Sequence, residues 1–169
     1  MTIEEAAKCY AAALKAKSTA LAAEIIRILV HRPFVLDPGV TATQVDAISF
    51  EYEWDSFQTI ALPLNARTGY CGGGAPLAIV AVGEDGLFAD SVAQAVVDAI
   101  ADANPDEVLH QLGALRTDLF KRWFCATWRR VRGAAPGLRG FLSVHDTIWR
   151  TDLDSGETFR EDSGSVKFF

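Results

Sequence analysis

Apolar side chains recur at steps of three, four or seven from the start of the chain: Ile3, Ala7, Tyr10, Leu14, Leu21, Ile25 and Ile28. That is the period of one helix face. Thr2 and Glu5 stand at capping-box spacing and mark where the helix begins. It is predicted to end near His31, before Pro33, and the turn residues Asp37, Pro38 and Gly39 follow. Over residues 45–54 the period changes to two, with Ile48, Phe50, Tyr52 and Trp54 alternating with Ser49, Glu51, Glu53 and Asp55. This predicts a half-buried strand. Asp55 and Ser56 make a short connection to a second β-like run over 57–64, so the two runs are expected to pair as an antiparallel hairpin.

Gly69, Gly72, Gly73 and Gly74 make residues 65–76 a loop, and the apolar run 77–82 reads as a buried strand closed by Asp85 and Gly86. Ser91 with Gln94 offers a capping box for a second helix, to about residue 103. Asn104, Pro105 and Glu107 then supply N-cap, N1 proline and N3 carboxylate for a third. That helix runs to about Arg132, where Gly133, Pro136 and Gly137 break it. From Phe141 the tail carries short β-like runs with a turn at Asp154, Ser155 and Gly156. There is no internal repeat and no linker. The expected fold is α+β, a single domain over 1–169 whose mainly antiparallel sheet carries the long N-terminal helix and two central helices. The competing arrangement closes the β-region around the N-terminal helix.

In the third helix, at about 100° per residue, Val108, Leu109, Leu112, Leu115, Leu119, Phe120, Trp123, Ala126 and Thr127 share one face. Trp123 is therefore expected to be deeply buried. Lys121, Arg122, Arg129 and Arg132 fall on the opposite arc with Cys125, while Arg116 falls inside the apolar one, as a snorkelling side chain or half of an interior ion pair.

Half of the 169 residues are hydrophobic and 22% are charged, proportions that exclude a disordered, collagen-like or rod-like chain. Net charge is −6 and the pI about 5.0, which disfavours nucleic acid and anionic membrane as general partners. Basic charge is nevertheless concentrated locally: residues 111–140 carry seven basic side chains against one acidic, residues 1–110 six against fifteen. The three cysteines are an odd number without a CxxC pair, which fits reduced thiols in the cytoplasm better than a disulfide framework or a zinc site. No signal-peptide pattern and no run of about 18 apolar residues is present, so a cytoplasmic protein with no membrane association is expected. Arginine outnumbers lysine, a bias associated with bacterial genomes rich in GC.

Three constellations carry chemistry. Alternation puts Glu51, Glu53 and Asp55 on one strand face at steps of roughly 7 Å. With no histidine near them in sequence they do not suggest a metal site, and they read as a solvated face or as a surface for a basic protein. Cys125, with Lys121, Arg122 and Arg129 around it, has a setting that favours thiolate, against the alternative of an inert buried thiol. Cys71 precedes Gly72, Gly73 and Gly74, where a nucleophile could use backbone amides and His31, His110 or His145 as base. The glycines themselves lack the lysine and hydroxyl of a phosphate loop and suggest backbone contact or mobility instead. No GxSxG elbow or HExxH helix is present.

The expected function is that of a non-enzymatic bacterial interaction protein, of the immunity type that neutralises a basic toxin, docking through Glu51, Glu53, Asp55 and nearby exposed aromatics. No catalytic residue, metal or cofactor is assigned. The alternatives are a thiol-dependent hydrolase or transferase using Cys71 or Cys125, and nucleic-acid binding through Lys121, Arg122, Arg129 and Arg132. The chain is expected to fold alone or with a copy of itself as a homodimer.

Overall fold

The computed structural model describes residues 1–65, 69–82, 87–100 and 104–161. Helix α1 spans Ile3–His31, and the capping box forms as the sequence requires, with the Thr2 hydroxyl accepting from Glu5 N–H and the Glu5 carboxylate accepting from Thr2 N–H. Strand β1 (Ala47–Tyr52) and strand β2 (Thr59–Asn65) form the expected antiparallel pair. Two short strands follow, β3 (Gly69–Tyr70) and β4 (Leu77–Ala78), both antiparallel to β2.

The run 77–82 is not one strand. Glu24 of α1 accepts hydrogen bonds from the N–H groups of Val80 (3.2 Å) and Ala81 (2.6 Å), and the chain closes there into a 3-10 turn over Val80–Val82. Asp85 and Gly86 lie outside the described residues. Helix α2 (Asp90–Ala99) starts one residue before Ser91, with no side-chain cap. Gln94 bonds forward to Asp98 instead of back to a cap. Its expected extension through 101–103 is also outside the described residues. Helix α3 (Pro105–Val131) starts as expected, with the Asn104 side chain accepting from Asp106 N–H.

Strands β5 (Arg139–Val144), β6 (Trp149–Asp152) and β7 (Thr158–Arg160) complete, among the described residues, one mixed, mostly antiparallel sheet of seven strands, six in the order β3-β2-β1-β5-β6-β7 and the seventh, β4, paired to β2 off that path. The fold is α+β, and β1 with β5 is its parallel pair. Parallel neighbours need a long crossover, which here contains β2 to β4, α2 and α3. Ile48, Phe50 and Tyr52 point to the helix-covered core, where Phe50 meets Phe124 and Trp128 and Tyr52 meets Phe120.

The orientation of α3 differs from the arc read in its sequence. Phe124, Cys125 and Trp128 are buried, Leu109 and Ala126 are exposed, and Trp123 is only half-buried. The physical reason is that α3 packs on two neighbours at once. Phe120, Phe124 and Trp128 meet β1, while Trp123 lies toward α1 and donates its indole N–H to the Ser18 hydroxyl (2.8 Å). Gly140 on β5 makes the closest approach possible, since a Cβ there would stand 2.6 Å from the Trp128 ring. Among the described residues no helix is long and apolar enough to cross a membrane.

Candidate functional site

Strands β1 and β5 lie side by side and point the same way, with Tyr52 level with Val144. Beyond that level the chains part. One turns through residues 53–58 into β2, the other through 145–148 into β6 on the opposite side. Because the two chains turn toward opposite edges of the sheet, a crevice opens at the carboxyl ends of β1 and β5. A last rung, His145 N–H to Tyr52 C=O at 2.9 Å, closes its floor.

The turn on the β1 side is tightly held. Glu53 N–H donates to Gln58 C=O, Phe57 N–H to Glu53 C=O, and Phe57 adopts φ +61° with its buried ring stacked on Tyr52 at 5.6 Å. A non-glycine residue in the left-handed region costs about 1–2 kcal/mol, which the buried ring contacts must offset. The consequence is that Trp54 does not continue the strand alternation. It stands 57% exposed, with its ring edge against Gly113 of α3. On the β5 side Trp149 is 53% exposed.

Two adjoining clefts lie between these tryptophans. One, of about 310 Å³, is lined by Trp54, His110, Gly113, Thr117, Asp118 and Lys121; the other, of about 170 Å³, by Tyr52, Thr117, Lys121, Trp149, Thr151 and Thr158. Thr117 and Lys121 belong to both. Lys121 donates to the Thr158 hydroxyl at 3.0 Å, and Asp118 pairs with Arg122.

The structure separates the three carboxylates that alternation groups together. Glu51 is half-buried and bonds His145 Nδ1 at 3.2 Å. Glu53 and Asp55 are exposed in the turn, where Asp55 accepts from Ser56 N–H, and among the described residues neither pairs with a basic side chain. Asp146, its side chain 90% exposed, lies 3.6 Å from His145 Nε2. The His145 imidazole is held above its ordinary pKa by the hydrogen bond to Glu51, against slight desolvation and with help from the charges of Asp146 and Glu53. A neighbouring histidine was thus invisible in the local sequence: the parallel pairing of β1 and β5 brings it from 94 positions away. Asp146 and Trp149 arrive by the same route. Among the described residues no group of three or more histidine, cysteine or carboxylate side chains is placed to hold a metal ion.

The face of the sheet that carries Glu51 is not simply solvated. Ser49 is fully buried and accepts from Arg150 Nη1 (2.5 Å), Arg150 Nε pairs with Glu161 (2.5 Å), and Arg139 pairs with Asp152 (2.9 Å) over the Phe141 ring. These are structural pairings, each charge satisfied by a neighbour.

The thiols stand apart from the crevice chemistry. Cys71 is buried with Sγ donating to Pro63 C=O at 3.4 Å, and burial together with Asp37 and Asp46 pushes its pKa up. At Cys125 burial also raises the pKa, outweighing the lowering by Arg129 and Lys121. Gly73 packs its backbone on Leu36, where a Cβ would meet the carbonyl oxygen at 2.7 Å, so this part of the glycine loop makes close backbone contact. Of the basic arc, Arg129 donates to Leu153 C=O and Arg132 pairs with Asp154 at 2.5 Å; with Lys121 and Arg122 bonded as above, all four residues already have partners. No protein-family model, curated protein or solved structure matches the chain.

Proposed function

We propose that the protein is a non-enzymatic binding protein, a single α+β domain of the bacterial cytoplasm. It docks a basic protein through the crevice edge, as an immunity-type protein docks and neutralises a toxin. The observation that carries this reading is the pair of half-exposed tryptophans, Trp54 and Trp149, each lining one of two adjoining clefts, while the turns that leave β1 and β5 carry the exposed carboxylates Glu53, Asp55 and Asp146. Tryptophan is enriched among the few residues that dominate binding energy, and carboxylates around such anchors select and steer a partner of opposite charge. The raised pKa of both buried thiols argues against the alternative of an activated cysteine. The pairing of Arg122 with Asp118 and of Arg132 with Asp154 reduces the net charge of the basic arc and argues against nucleic acid.

The test compares wild-type protein with Trp54→Ala and with Glu53→Gln/Asp55→Asn as baits in lysate of the source cell. A basic protein retained by the wild type, lost with Trp54→Ala and released by added salt supports the reading. It is overturned when the same proteins bind all three baits, or when the purified chain turns over small substrates.

A further inference from the structure

We propose that the two clefts beside Lys121 form one binding site for a small aromatic carboxylate, its ring against Trp54 and its carboxylate at Lys121. The larger cleft, of about 310 Å³, follows α3 past Gly113 and Ala114, which put little side chain into it, to the Trp54 ring. The smaller, of about 170 Å³, lies between α3 and the sheet. Its sheet wall follows from the strand period of two. Thr151 of β6 is level with core-facing Leu142 on one side and with Thr158 of β7 on the other, so both hydroxyls face α3. Thr117 and Lys121, about one turn apart on α3, line both clefts. Small-molecule sites are concave and mostly apolar, with a few polar groups and a charge to fix the ligand, and the larger cleft has the volume of a small one.

The polar groups where the clefts join select the ligand's head. Lys121 carries three N–H donors and directs one to the Thr158 hydroxyl at 3.0 Å, while Thr158 and Thr151 share a hydrogen bond, also of 3.0 Å. Whichever hydroxyl donates in that bond, the other keeps a proton to give. Donors therefore outnumber acceptors, and the group that answers them is one that only accepts, as an ionised carboxylate does. Charge points the same way. Among the described residues no carboxylate pairs with Lys121, and Asp118, the acidic side chain of the larger cleft, is paired with Arg122. Lys121 is half-buried, where a charge-assisted hydrogen bond is stronger than in open water. The ring belongs in the larger cleft, because Trp54 offers an aromatic surface there for edge or offset contact. The site shares Trp54 with the docking reading, whereas Lys121, Thr151 and Thr158 have no part in that reading.

Titration of the full chain with phenylacetate, followed by the indole N–H resonances, is expected to saturate and to move the Trp54 signal most. Phenylacetamide keeps the ring and loses the charge, and acetate keeps the charge and loses the ring. Each is expected to bind about tenfold more weakly or worse. Lys121→Met, with an unchanged circular dichroism spectrum, is expected to lose the preference for acid over amide. Thr158→Val, which keeps the lysine and changes an exposed side chain, is expected to weaken the acid and leave the amide as it was. The proposal is overturned by equal affinity for acid and amide in the wild type, by a preference that survives both substitutions, or by no saturation at the solubility limit of the acid. Each of those results leaves the docking reading standing, because retention of a basic protein by the bait is measured without the acid.

Discussion

The ring edge of Trp54 lies against Gly113, where a Cβ would stand 3.3 Å from Cζ3 and 3.6 Å from Cη2. A glycine inside a helix costs about 1 kcal/mol relative to alanine, and at this position it gives room to an aromatic ring from the turn after β1. Helix stability and crevice shape are therefore coupled through one missing methyl group. Gly113→Ala is expected to raise folding stability by about 0.5–1 kcal/mol, because the exposed ring can move the few tenths of an ångström required. It is also expected to weaken docking, because the anchor has shifted. Urea melts and partner titrations on the same variant separate the two effects, and a loss of stability would mean that the ring is pinned.

Trp128, not Trp123, is the indole that holds α3 to the sheet. It is fully buried, packs on Gly140 and Phe50, and donates to the Asp154 carboxylate at 2.8 Å. Trp128→Ala is expected to cost about 3–5 kcal/mol. Trp123→Ala, which removes a half-buried ring and one hydrogen bond to Ser18, is expected to cost distinctly less. Gly140→Ala forces a Cβ into the same buried ring, an overpacking worth about 1–3 kcal/mol. Chemical denaturation of the three variants checks the order.

These two indoles show where local pattern ends. The capping box at Thr2 and Glu5, the Asn104 cap with Pro105, the hairpin of β1 and β2 and the turn near Asp154 rest on neighbours in sequence, and the chain displays each of them directly. The face of α3 depends on its being packed against both α1 and β1, which a single hydrophobic arc does not encode. Trp54 departs from strand alternation because β1 stops at Tyr52, and His145 reaches Glu51 through a strand pairing of high sequence separation. At the carboxyl ends of β1 and β5, the sequence displayed the carboxylates Glu51, Glu53 and Asp55. The approach of the two tryptophan-lined clefts and of His145 to Glu51 needed the topology.

Burial sorts the cysteines. Cys9 is exposed on α1, whereas Cys71 and Cys125 are buried with raised pKa values. Iodoacetamide near neutral pH is expected to add one label quickly, at Cys9, and the other two only after denaturant is present. Intact-mass measurement over time reads this directly. Fast labelling of Cys71 or Cys125 in the folded protein would revive the thiol-enzyme reading.

Protonation of His145 is tied to Glu51, and the sign follows from the direction of the shift. The folded-state pKa lies above the ordinary value of 6.5 because Glu51 accepts from the imidazolium. The stabilisation this pair supplies is therefore fully present below the unfolded pKa and is lost as pH rises through the higher folded value. Docking follows the opposite course. The neutral imidazole leaves the charge of Glu51 uncompensated, so affinity for a basic partner is expected to increase across the same pH range. Glu51→Gln removes both effects: the His145 ring resonance titrates at a lower pH, and partner affinity loses its dependence on pH in that window. An NMR titration of His145 in wild type and variant measures the first, and binding isotherms on either side of the folded pKa measure the second. An unmoved His145 titration would show that Glu51 does not hold the proton.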